Sequence, residues 1–111
     1  MRAAIIPEKS VQKAIIDYLT LRRVWVVRMN TGAIVSEYKG KTRLHKYGYP
    51  GMADLYVRTP SSVTLWIECK SSIGKQSDLQ RQFQMRVETL GDIYVLARSV
   101  DDVIPLFGGL R

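Results

Sequence analysis

The sequence predicts an α/β domain spanning residues 1–111, a mixed β-sheet flanked by helices and carrying a basic β-hairpin. Three observations lead there. Residues 7–23 and 77–90 place apolar side chains at helical spacing. Four short runs, at 24–29, 54–58, 65–70 and 93–97, are rich in β-branched and aromatic residues, as strands are. The order is αβ, hairpin, ββ, αβ, α, without repeat, linker or low-complexity segment, which suits helices covering a sheet in two or three layers.

The first helix opens at Pro7, which has no N–H to leave unpaired in a first turn. It runs to about Arg23, with Val11, Ile15, Leu19 and Arg22 in a stripe and Ala14 and Tyr18 beside them. Glu8 lies at the N-terminal edge of that stripe, where an acid also favours the helix dipole by about 0.3–1 kcal/mol. Val24–Met29 reads as a strand, ended by the turn chemistry of Asn30-Thr31-Gly32. Residues 33–49 follow as a hairpin with its tip near Tyr38-Lys39-Gly40-Lys41. Lys39, Lys41, Arg43 and His45 are spaced by two, and Lys46, Tyr47 and Tyr49 follow closely. Basic residues interleaved with aromatics suit a phosphate backbone and stacked bases. Lysines on an edge hairpin also serve solubility alone.

Tyr49–Ala53 is a breaker-rich loop that delivers the chain to Asp54. Asp54–Arg58 and Val63–Lys70 then alternate about the turn residues Thr59-Pro60-Ser61-Ser62, so the two runs form a hairpin. In the second run Val63, Leu65, Ile67 and Cys69 share one face, and Thr64, Trp66, Glu68 and Lys70 the other. If paired residue numbers sum to 122, Tyr56 faces Trp66 and Asp54 faces Glu68. A sum of 121 would put the two carboxylates on opposite faces. In the first register their β-carbons would lie roughly 5 Å apart, and like charges so placed repel and call for a cation, either Lys70 or a bound divalent metal.

Ser77 starts the second helix and Gly91 stops it. Ser77-x-x-Gln80 fits a capping box, which by itself accounts for Gln80. Leu79, Phe83 and Leu90, with Val87 nearby, form the expected core stripe. Ile93–Ala97 is the last strand, and Ser99-x-x-Asp102 caps a short third helix that Pro105 and Gly108-Gly109 cut off. The apolar residues Val103, Ile104, Leu106, Phe107 and Leu110 fit either core or an interface.

A chain of 111 residues can bury one core without staples. A single cysteine rules out an internal disulfide framework and fits a reducing compartment. No apolar run approaches the roughly 20 residues of a membrane span, and Met1–Pro7 has too short an apolar stretch for a signal peptide. The expectation is a cytoplasmic protein. The net charge of +7 lies wholly in residues 1–50, where ten Lys and Arg face three Asp and Glu. Residues 51–111 hold seven of each. This asymmetry is the one expected of a surface that binds a polyanion.

Several chemistries have little support. Cys69 falls on the apolar face of its strand, and His45, the one histidine, is remote from it, so neither a Cys/His dyad nor a His/Cys zinc site is indicated. No glycine-rich phosphate loop is present. Asp54, Glu68, Glu8 and the Cys69 main-chain carbonyl together form an oxygen-rich set suited to Mg²⁺ or Mn²⁺. Lys70 would then orient an attacking water or offset charge at phosphorus. Asp-x₁₃-Glu-x-Lys taken alone is a loose pattern, met also in salt-bridged surface strands.

Glu8, Arg28-Met29-Asn30-Thr31-Gly32, Gly51-Met52-Ala53-Asp54, Ile67-Glu68-Cys69-Lys70 and Gln80, in that order, resemble the VRR-NUC (virus-type replication-repair nuclease) family of the PD-(D/E)XK nuclease superfamily. The resemblance runs from Glu8 to about Ala97. It implies a restriction-endonuclease-like αβββαβ core and metal ligation by Asp54, Glu68 and the Cys69 carbonyl, with Glu8 supporting the ion directly or through water. Lys70 matches the catalytic lysine and Gln80 the glutamine that borders the site. Ala53 departs from the proline that family members often carry before the aspartate, which touches only the local backbone shape. The implied activity is a structure-selective DNA endonuclease, similar to Holliday-junction resolvases, acting as a homodimer in the cytoplasm of a bacterial or virus-infected cell without an organic cofactor. Arg28, Asn30, Lys39, Lys41, Arg43, His45, Lys46 and Lys75 are the expected DNA contacts. A non-catalytic binding module of the same fold and a nonspecific or flap nuclease are the rival readings.

Overall fold

The computed structural model describes residues 4–29, 33–46 and 49–107, the side chains of 33–38 and 42–46 aside. Helix α1 (Glu8–Leu21) leads into strand β1 (Trp25–Arg28). Strands β2 (Ala33–Tyr38) and β3 (Lys41–Lys46) form the separate hairpin. Strands β4 (Leu55–Arg58) and β5 (Thr64–Cys69), helix α2 (Asp78–Thr89) and strand β6 (Ile93–Ala97) complete the body. The main sheet has the order β1-β4-β5-β6. Its first two pairings are antiparallel, and β5 and β6 run parallel, joined by the α2 crossover.

The β4–β5 register pairs Tyr56 with Trp66 and Leu55 with Ile67, the sum of 122. That register sorts the side chains into two cores. On one face Val11, Ile15 and Leu19 of α1 meet Leu55, Val57, Leu65, Ile67 and Cys69. On the other, Phe83 and Val87 of α2 meet Ala53 and Tyr94, with Met52, Trp66 and Leu96 packed alongside. The architecture is therefore helix, sheet, helix. Each apolar group removed from water on these faces contributes about 25 cal/mol per Å².

Several expectations shift in detail. Pro7 is the N-cap of α1, its carbonyl accepting from the Ser10 and Val11 amides, so the helix begins at Glu8. It ends two residues earlier than the apolar stripe suggests because Arg23 turns left-handed (φ 59°). The Val24 N–H then reaches back to the Leu19 carbonyl, closing a Schellman-type cap. Ala14 is exposed, outside the buried stripe. In α2 only Phe83 and Val87 are buried; Leu79 and Leu90 lie at the two ends of the helix and remain 52% and 75% exposed. Its buried apolar side chains are thus confined to Phe83 and Val87.

The third helix is a pair of 3-10 turns, Val100–Asp102 and Ile104–Phe107. Ser99 makes no side-chain cap, and Asp102 instead accepts the Arg98 amide (2.8 Å). Val103 is fully buried, and Phe107 packs edge-on against Tyr18 with the Arg22 guanidinium above both rings. The Arg22 side chain also donates to the Phe107 carbonyl (3.1 Å). Of this segment, Val103 is core and Phe107 packs against it, whereas Ile104 is half-buried, Leu106 is exposed and Leu110 lies outside the described residues.

Candidate functional site

Four chain segments meet at one end of the sheet: the start of α1, the entry to β4, the end of β5 and the first turn of α2. Asp54 arrives from the Tyr49–Ala53 loop, whose position depends on Gly51. Its φ is +77°, and a Cβ there would overlap the Leu79 carbonyl oxygen and lie 2.9 Å from the Gln80 nitrogen. Only glycine allows the loop to sit so close to the α2 backbone. The Asp54 carbonyl then accepts the Met29 amide (2.8 Å), tying it to β1.

The Asp54 side chain is 4% exposed, and its Oδ2 accepts the Cys69 N–H at 2.8 Å. This bond brings the Cys69 peptide to the carboxylate, while the thiol stays in the α1-side core. Glu68 is 1% exposed and faces α2. Its Oε2 accepts from Gln80 Nε2 (3.0 Å) and lies 3.5 Å from the Lys70 ammonium. Its Oε1 is buried with no hydrogen-bond partner among the described residues. Glu8 reaches in from the exposed start of α1, and one carboxylate oxygen each from Glu8, Asp54 and Glu68 lies within 4.8 Å of the others.

These charges strain one another. Burial, then Asp54, push the Glu68 carboxyl up to about 8; Lys70 opposes this and Glu8 adds to it. Burial, Asp54 and Glu68 push the Cys69 thiol up to about 12, which leaves no thiolate for nucleophilic work. An oxygen-only donor set with two buried carboxylates and an unpartnered Oε1 suits a hard divalent cation. Such an ion would satisfy the orphan oxygen and remove the repulsion together.

Gln80 serves two structures. Its Oε1 accepts the Ser77 amide (2.8 Å) and its own amide donates to Ser77 Oγ (3.1 Å), forming the expected capping box. Its Nε2 is thereby left to hold Glu68. One amide side chain thus fixes both the helix start and an acidic side chain.

The expected DNA contacts fall differently. Arg28 ends β1, exposed, and lines a groove of about 750 Å³ with Glu8 and Asp54. Lys75 is exposed on the loop between β5 and α2. Arg98 pins that loop by donating to the Ser71 and Gly74 carbonyls (2.8 and 2.7 Å), a role the sequence pattern did not mark. Lys39 and Lys41 are exposed at the hairpin tip. Lys39 and Gly40 form its two-residue turn with φ of 51° and 73°, so Lys39 does not continue the face of Lys41. Arg43 and His45 hold alternate positions of β3 with Lys41, and Lys46 ends that strand; their side chains, and Asn30, lie outside the described residues.

Comparison with protein-family models, with curated proteins and with solved structures finds no match. The site must be read from its own geometry. Among the described residues no helix is long and apolar enough to cross a membrane.

Proposed function

We propose that this chain is a divalent-metal-dependent, structure-selective DNA endonuclease of the VRR-NUC type, with a restriction-endonuclease-like core. The observation that carries the reading is the convergence of Glu8, Asp54 and Glu68 beside Lys70. The element order α1, β1, β4, β5, α2, β6 supports it, once the β2–β3 hairpin is set aside.

Asp54 and Glu68, with the Cys69 carbonyl and Glu8, would hold Mg²⁺ or Mn²⁺, which when bound would polarise a phosphate oxygen and lower the pKa of a bound water. The chain's own groups do the rest. The Cys69 N–H fixes Asp54, and Gln80 fixes Glu68, so neither carboxylate spends free energy on ordering when substrate arrives. Lys70, only 12% exposed in its side chain, presents its ammonium beside Glu68, where it would orient water and offset charge developing on phosphorus. Arg28, Asn30, Lys75 and the hairpin residues Lys39, Lys41, Arg43, His45 and Lys46 would hold the DNA backbone.

The preferred substrate in this reading is branched DNA. A four-way junction has two-fold symmetry, and a homodimer with two sites would cut opposing strands in matched positions. The protein would act in the cytoplasm of a bacterial or virus-infected cell.

Cleavage of a labelled four-way junction, beside linear duplex and flap DNA, tests this with Mg²⁺, Mn²⁺ or EDTA. Wild type should make paired, metal-dependent cuts, and Lys70→Ala should slow them by roughly 10²-fold or more. Cuts on every substrate would remove the junction preference and leave the chemistry. Tight, salt-sensitive binding with no cleavage under either metal would replace the nuclease with a binding module.

A further inference from the structure

The groove beside the carboxylates has a wall on α1 that the proposed site does not use. The groove is lined by Glu8 and Asp54 together with Lys9, Gln12, Lys13, Ile16 and Arg28. The α1 contributors recur at positions 9, 12, 13 and 16, one flank of the helix next to its buried 11, 15, 19 stripe. Arg28 closes the opposite wall from β1, on the same side of the sheet as Val26 and the α1 core. One cation of β1 and one ridge of α1 thus line a common channel beside the acids.

The lining selects its ligand. Away from Glu8 and Asp54 the charged groups are all cationic, and none of the lining residues is aromatic, so the channel offers no surface for stacking a base. Among the described residues Lys9 and Arg28 have no ion-pair partner, whereas Lys13 is bridged to Asp17 at 2.7 Å. Uncommitted cations in a groove suit a phosphodiester backbone. Its volume, about 750 Å³, exceeds what a single small anion fills.

We infer that this channel holds the sugar-phosphate backbone of one DNA strand next to the scissile phosphate, with Lys9 and Arg28 as its principal phosphate contacts. The inference rests on the nuclease reading for the position of the cut, and it adds α1, through Lys9, to a grip otherwise assigned to Arg28, Asn30, Lys75 and the hairpin. Contact is to phosphate alone, so it is independent of sequence.

The test is equilibrium binding of a labelled four-way junction over a series of salt concentrations, in Mg²⁺, using Lys70→Ala protein so that DNA stays intact. The double variant Lys9→Gln/Arg28→Gln should flatten the slope of log K against log salt by about 2 and weaken binding roughly 10- to 100-fold. Arg58→Gln/Arg86→Gln loses the same charge at exposed positions outside the groove and should leave the slope near its starting value. With Lys70 intact, the groove variant should raise KM with kcat within about twofold, since uniform binding is what it removes. An unchanged slope and KM, or equal losses in both double variants, would overturn the channel while leaving cleavage standing. The expected slope change in a protein that never cleaves would uphold the channel and sink the nuclease. Absence of salt-sensitive DNA binding would sink both.

Discussion

A proton on Glu68 relieves two costs, the burial of a carboxylate and its repulsion by Asp54. Its carboxyl titrates near 8 in the native state against 4.5 in the unfolded chain. Between those values the native state binds the extra proton, so stability falls as pH rises. The stabilisation is complete below the unfolded value and lost above the folded one. At about 1.4 kcal/mol per pKa unit, ionising Glu68 without a cation costs several kcal/mol. In EDTA, the melting temperature of wild type should therefore drop from about pH 5 to pH 9. Glu68→Gln should flatten that fall while abolishing cleavage. A wild-type profile that is flat or rises over this range would contradict the assignment. The hairpin and its two candidate registers were legible in the sequence, from the period of two and the turn at Thr59–Ser62; the register that sums to 122, which brings Asp54 to the same end of the sheet as Glu68, was decided by the packing. The proton was not legible, since it depends on α2 covering Glu68, a contact between residues twelve apart that alternation does not report.

At the scale of the element, the start of α2 is also a wall of the site. Gln80→Ala should cost about 1 kcal/mol through the capping box and also free Glu68. Gln80→Glu keeps the capping-box chemistry but turns a carboxylate toward Glu68. It should match wild-type stability in acid and fall below it above about pH 8, where Glu68 ionises, which thermal melts at two pH values will read. Gly51→Ala should be more damaging than either, because a positive φ and an overlap with the Leu79 carbonyl combine. The Ser77–Gln80 cap was readable from four letters. The close approach of Gly51 was not, because a glycine in a breaker-rich loop looks the same whether or not another backbone lies against it. Leu79 and Leu90 misled for a related reason: helical spacing marks a face, and only the packed structure decides how far along the helix that face is covered.

For the whole molecule, the three layers explain why an acid at position 8 meets acids at 54 and 68. Helix α1 covers one face of the sheet and Glu68 points to the other, so the three converge only around the sheet's end. The charge asymmetry foretold a basic first half, and the structure divides part of it between the α1 flank, Arg28 and the tip of the hairpin. The flank carries no signal in the sequence, since Lys9 and Lys13 are exposed positions of an amphipathic helix and only the fold sets Arg28 opposite them. A cation that neutralises the acids binds the folded chain alone, so Mn²⁺ or Mg²⁺ at about 100 times its dissociation constant should stabilise wild type by about 2.7 kcal/mol. Thermal melts should show that gain near pH 8 and its loss in Glu68→Gln. An equal gain in the variant would place the ion elsewhere.

The parallel pairing of β5 with β6 carries one more consequence, in the order of synthesis. Asp54 and Glu68 are synthesised before Gln80, and the Lys70 amide finds its acceptor only once Ala97 has been made. Until then the strand that bears Glu68 is an open sheet edge. The strand that bears Glu68 therefore waits on a partner some thirty residues further along the chain before its edge is closed.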